Sequence, residues 1–96
     1  MFLENFLSAI KFKMLCDVYE DEYLESLDDE NFVQVYRVFQ KYNFYFIEDI
    51  ILNYLDIFTL DPKYVEDEII LLKNVLGANF IYIIGHDMRY LEKMLG

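Results

Sequence analysis

Ninety-six residues with eighteen acidic and eight basic side chains carry a net charge of −10, which disfavours DNA, RNA and anionic membranes as direct ligands and points to a cationic partner. The length is that of one domain, residues 1–96, with no room for a separate catalytic module. Cys16 is the single cysteine and Phe80 to Ile84 the longest purely apolar run, so a disulfide framework, a thiolate metal cluster and a membrane span are not expected, and a cytoplasmic protein is.

One Pro and three Gly leave few helix breakers, and apolar residues recur mainly at helical spacing, which predicts an all-α fold: a compact bundle of about five short helices. The first, over about 2 to 16, places Leu3, Leu7, Ile10 and Met14 on one stripe with Phe2 and Phe6 beside it, and its pattern can be extended through Tyr19, Tyr23 and Leu27. The second starts at the acidic cap Asp28-Asp29-Glu30, carries Phe32, Val35, Tyr36 and Phe39, and ends near Tyr42-Asn43. The third, from about 45 to 58, has Ile47, Ile50, Ile51, Tyr54, Leu55 and Phe58 around enough of its circumference to predict a central position.

Asp61 as N-cap and Pro62 at the first helical position start the fourth helix, Glu66 and Asp67 suit its positive end, and Gly77 stops it. The fifth runs from Asn79 to Leu95 with Phe80, Ile83, Ile84, Asp87, Met88, Leu91 and Leu95 at helical spacing. Its segment 80–84 is rich in β-branched residues and is also readable as a short strand. Residues 46–52 faintly resemble residues 65–71, which is open to a helical-repeat reading or to chance likeness between two amphipathic helices.

Catalytic patterns are missing. His86 is the single histidine, and neighbours on a helix point about 100° apart, so Asp87 does not naturally orient it. Ser8 and Thr59 have no companion base, and no phosphate loop or zinc spacing is present. Cys16 reads as a small core side chain. Asp28, Asp29 and Glu30 lack the glycine and alternating oxygens of a calcium loop, so helix capping accounts for them better than a metal. Neither a cofactor nor enzymatic activity is expected.

The sharpest feature is residues 17–30, where Asp17, Glu20, Asp21, Glu22, Glu25, Asp28, Asp29 and Glu30 occur with no Lys or Arg. As one continuous helix this run is about 21 Å long, with a carboxylate about every 2.6 Å, between the charge spacing of one DNA strand and of the duplex. Asp17, Asp21 and Glu25 then share a face, and Tyr19, Tyr23, Leu24 and Leu27 supply apolar anchors for a basic partner. A merely solvated, solubilising face explains the same residues.

The profile of a short, acidic, aromatic-rich chain without catalytic motifs is similar to that of small inhibitors carried by phages and mobile elements, including anti-CRISPR proteins and other nucleic-acid mimics. The likeness is one of profile and covers no motif. It implies an inhibitor that blocks the nucleic-acid-binding surface of a basic protein such as a nuclease. An immunity protein or antitoxin for a cationic toxin rests on the same physics. A homo-oligomeric adaptor is the reading from a different class, because nine Phe, nine Tyr, thirteen Leu and ten Ile are many for so short a chain, and surplus apolar surface predicts a homodimer.

Overall fold

A computed structural model describes residues 2–96 as six α-helices and three 3-10 segments, with no strand among the described residues. In chain order these are a 3-10 turn at Phe2–Asn5, α1 (Ala9–Val18), α2 (Asp21–Glu25), α3 (Asp29–Lys41), α4 (Ile47–Asn53), a 3-10 segment at Leu55–Thr59, α5 (Pro62–Leu76), α6 (Phe80–His86) and a 3-10 segment at Met88–Leu95. The fold is an all-α compact bundle, and residues 80–84 are helical. Its radius of gyration is 13.1 Å, against about 12.5 Å for a compact domain of this length. The longest helix, α5, has 15 residues, and no single helix among the described residues is long and apolar enough to cross a membrane.

Two helices form where local signals agree. Asp28 caps α3 by accepting the Asn31 N–H at 3.1 Å, and Asn43, at φ +64°, turns the chain out of the helix just after its end. Asp61 accepts the Lys63 N–H at 2.9 Å to start α5. Gly77, at φ +85°, ends it in a conformation that costs glycine nothing, and its N–H bonds Lys73 O at 2.9 Å.

The other three expected helices are each interrupted. Ser8 is extended, accepts the Lys11 N–H, and gives its own N–H to Glu48 Oε1 at 2.9 Å, so the first helix begins afresh at Ala9. Tyr54, at φ −139°, separates α4 from Leu55–Thr59. Asp87 leaves helical geometry and caps the last segment through Arg89 N at 3.2 Å.

The restart at Ser8 changes the phase of α1, which corrects the expected stripe. Leu3 and Leu7 are buried, but within α1 it is Leu15 that is fully buried, with Phe12 and Cys16 packed beside it. Ile10, Met14 and Val18 are left on the outside, 76%, 51% and 71% exposed.

The core centres on α3, which packs against α5 and Leu55–Thr59, while α1 lies on α4, and α5, α6 and Met88–Leu95 close the far side. Phe32, Phe39 and Phe58 are all but fully buried, and the Phe58 ring stacks on Phe32 at 4.7 Å and meets Phe39 at 5.6 Å. Asn31 fastens the same junction by donating both side-chain N–H groups, to Phe58 O and Leu60 O at 2.9 Å each. Ile47, Ile50, Ile51 and Leu55 are also buried, as the central position of the third segment requires. The look-alike segments diverge in packing. Ile51 is buried and its counterpart Ile70 exposed, and the helices that hold them have seven and fifteen residues.

Removing the ring at this junction tests the assignment. Phe58→Ala should cost about 3–5 kcal/mol in urea unfolding, whereas Val18→Ala should stay within about 0.5 kcal/mol. Comparable small losses from both would contradict the placement of the core.

A candidate acidic interface

Residues 17–30 are an acid-rich stretch of chain that spans three elements. Asp17 lies in the last turn of α1 and Glu20 in the following turn, while Asp21, Glu22 and Glu25 belong to α2. Asp28 is the cap of α3, and Asp29 and Glu30 its first turn. All eight are exposed, and none is ion-paired with a described residue. The cations that do pair, Lys11, Lys41, Lys63 and Arg89, meet Glu48 and Asp49, Glu66, Asp67 and Asp87, all outside the run. Between Lys13 and Arg37 the chain has no basic residue.

The regular 21 Å row does not form. The backbone is extended at Tyr19 and Glu20 and turns again around residues 26–28, so Asp17, Asp21 and Glu25 do not succeed one another on one helix. The cause is hydrophobic. Leu24 and Leu27 are buried, and a straight continuation of α1 would carry α2 away from the core that takes them.

That burial also corrects the expected anchors. Leu24 and Leu27 face inward, and Tyr19 and Tyr23 are half-buried with their rings stacked at 5.5 Å. Tyr23 donates its hydroxyl to Asp56, which pins α2 to the 3-10 segment Leu55–Thr59. The exposed apolar side chains nearest the run in sequence are those of α1. The signal for them was the capping serine at position 8, which sets the helical phase.

Helix electrostatics split the carboxylates into two sets. Asp21, Glu22, Asp29 and Glu30 stand in first turns, where the helix favours anions. Asp17 stands at the other end of α1, beside outward carbonyls and with no basic residue in that last turn, where the helix disfavours it.

An open depression of about 560 Å³ is lined by Asn53, Tyr54, Gly85, His86, Asp87 and Arg89, among others. Within it, the His86 ring stands edge-on to Tyr82 at 4.2 Å. Asp87 is bonded instead to Arg89, Oδ1 to Nε at 2.8 Å, and this contact holds its carboxyl below the usual range. Burial, followed by the charges of Asp21, Asp17 and Glu4, pushes the Cys16 thiol up, the wrong direction for a thiolate nucleophile. Among the described residues no three His, Cys, Asp or Glu side chains converge on a metal position. No protein-family model, characterised protein or solved structure matches the chain.

The Tyr23–Asp56 bond predicts an alkaline sensitivity. Burial first, then the hydrogen bond to Asp56 and its charge, raise the Tyr23 phenol well above the ordinary tyrosine range. A raised folded pKa lends stability that is complete below the unfolded value of about 10 and is lost as pH climbs through the folded value. Thermal melts from about pH 8 to about pH 11.5 should therefore show Tyr23→Phe losing less stability than wild type over that window. At neutral pH the variant should be weaker by about 1 kcal/mol. Parallel alkaline slopes would show that the bond contributes nothing.

Proposed function

We propose that the protein is a non-catalytic inhibitor that sets its acidic edge against a basic surface of another protein, the nucleic-acid-binding surface of a nuclease being the partner of best-fitting chemistry. The observation that carries this reading is the set of eight exposed carboxylates that form no ion pair with a cation among the described residues, while the cations that do pair lie outside the run. Concentrated like charge costs stability, and Asp17 adds an unfavourable interaction with its helix end. A partner's Lys and Arg relieve both. Such charges mainly speed and orient encounter, and they act within a Debye length of about 8 Å at physiological salt. An immunity protein bound to a cationic toxin would use the same contacts.

Neutralising Asp17, Asp21, Glu25 and Asp29 to Asn or Gln, with Asp28 left intact as the α3 cap, tests the reading. The partner is recovered from host lysate by affinity capture and salt elution. Against it the variant should fold normally, associate about tenfold more slowly at low salt, and lose most of its salt dependence. Unchanged rate and salt slope would reduce the edge to a solvated surface.

A second reading, a homo-oligomeric adaptor, is favoured by one observation. Tyr64, Leu71 and Val75 emerge along one side of α5, at spacings that keep them on a helical stripe, and remain 39%, 56% and 71% exposed. A second copy covering this stripe makes a dimer, which Leu71→Glu with Val75→Glu should return to monomer by light scattering. A wild-type monomer at all concentrations would remove this reading.

A further inference from the structure

We infer that the exposed face of α1 and the acidic edge form a single docking surface for a cationic amphipathic helix of a partner protein. This rests on the reading of the edge as the binding site for a basic partner and specifies what that partner presents.

Ile10, Met14 and Val18 follow one another at four-residue intervals, so they line one side of α1 over about 12 Å. Phe12, Leu15 and Cys16 already supply the contacts of α1 with the core, which leaves the outer stripe without a role in folding. Three apolar side chains in a row, each more than half exposed, mark an interface better than isolated exposed residues do.

Charge is uneven along the stripe. Its last member, Val18, adjoins Asp17 and is followed by Glu20, Asp21 and Glu22, at the carbonyl end of α1 with no basic residue in that turn. At its other end Lys13 is exposed, and Lys11 is bound to Glu48 and Asp49 at 3.3 Å. A ligand that covers the stripe therefore meets apolar surface first and carboxylates where α1 ends.

The fitting occupant carries an apolar row at helical spacing with Lys or Arg beside it, since a helix laid on α1 presents side chains in matching rows. A second copy laid antiparallel on α1 brings Lys13, and a Lys11 already held by Glu48 and Asp49, against eight carboxylates, so it supplies the apolar half but little of the charge. An extended polycation supplies only the charge.

Three labelled synthetic peptides of about eighteen residues separate these occupants. One places Leu on a single helical face among Lys, one scrambles the same composition, and one keeps the Lys but replaces Leu with Gln. By fluorescence anisotropy the wild type should bind the first at least tenfold more tightly than the other two. Ile10→Ser with Met14→Ser and Val18→Ser should abolish that preference while retaining the weak, salt-sensitive binding of the Gln peptide. Circular dichroism confirms the fold of the triple variant, and Val18→Ser alone, expected to reduce the preference in part, replaces it if it is unstable. The four-site neutralised variant should weaken all three complexes. Equal binding of the three peptides, or a preference that survives in the stripe variants, overturns the inference while leaving the acidic reading in place. Absence of binding by every peptide at low salt overturns both. If the stripe substitutions instead convert a dimer to a monomer, α1 is a face for a second copy and the inference also falls.

Discussion

The structure depends on a connected path of phenylalanine rings. Phe2 and Phe6 meet Phe32, each at 5.2 Å, and Phe32 stacks on Phe58, which meets Phe39. Phe39 touches Phe44 at 5.0 Å, and Phe44 touches both Phe46 and Phe80. Of the nine phenylalanines only Phe12 lies off this path. Rings of this size, with only two alanines in the chain to fill small gaps, favour short elements that approach the centre at varied angles. At the breaks at Ser8 and Asp87 the polar side chain accepts a released backbone N–H, that of Lys11 and of Arg89. The acidic run takes its path from this arrangement, because Leu24 in the last turn of α2 and Leu27 just beyond it are both buried in the core.

Charge is divided between two kinds of work. Lys11 connects α1 to Glu48 and Asp49 on α4, and Lys41 connects α3 to Glu66 on α5 at 2.6 Å, where Tyr42 also donates to the same carboxylate at 2.8 Å. Surface pairs of this kind add little stability each, but they fix how neighbouring helices are set. The carboxylates of residues 17–30 join no such pair and do no comparable work within the described chain. Their common property is exposure to solvent.

Much of the bundle was legible in the sequence, for identifiable reasons. α3 and α5 each combine an Asp cap with an apolar stripe of constant phase, and both form with the predicted bounds to within a residue or two. The breaks at Tyr54 and Asp87 were hidden because the apolar spacing continues across them, as it does between Phe80 and Leu91. In α1 a local signal is present and the spacing conceals it. Ser8 is a good capping residue, and the helical spacing from Leu3 to Met14 runs through it without sharing one face: Leu3 and Leu7 are buried, Ile10 and Met14 exposed. Composition alone located the acid, since eight carboxylates without a cation are plain in the sequence. Its shape was not legible, because the turn at residues 19–20 is imposed by the burial of Leu24 and Leu27 rather than by any local breaker.

Asp28 belongs to both kinds of work, since its carboxylate adds to the exposed edge while also holding the first turn of α3. The other seven acids place charge in solvent, and there the extra methylene that distinguishes Glu from Asp changes little. At position 28 the side chain must be short enough to reach the Asn31 N–H, so Asp, Asn, Ser or Thr satisfies the helix and only Asp satisfies the edge as well. Under sequence drift the edge as a whole can exchange one acid for the other freely. Position 28 is where the cap geometry and the negative charge together admit a single residue type.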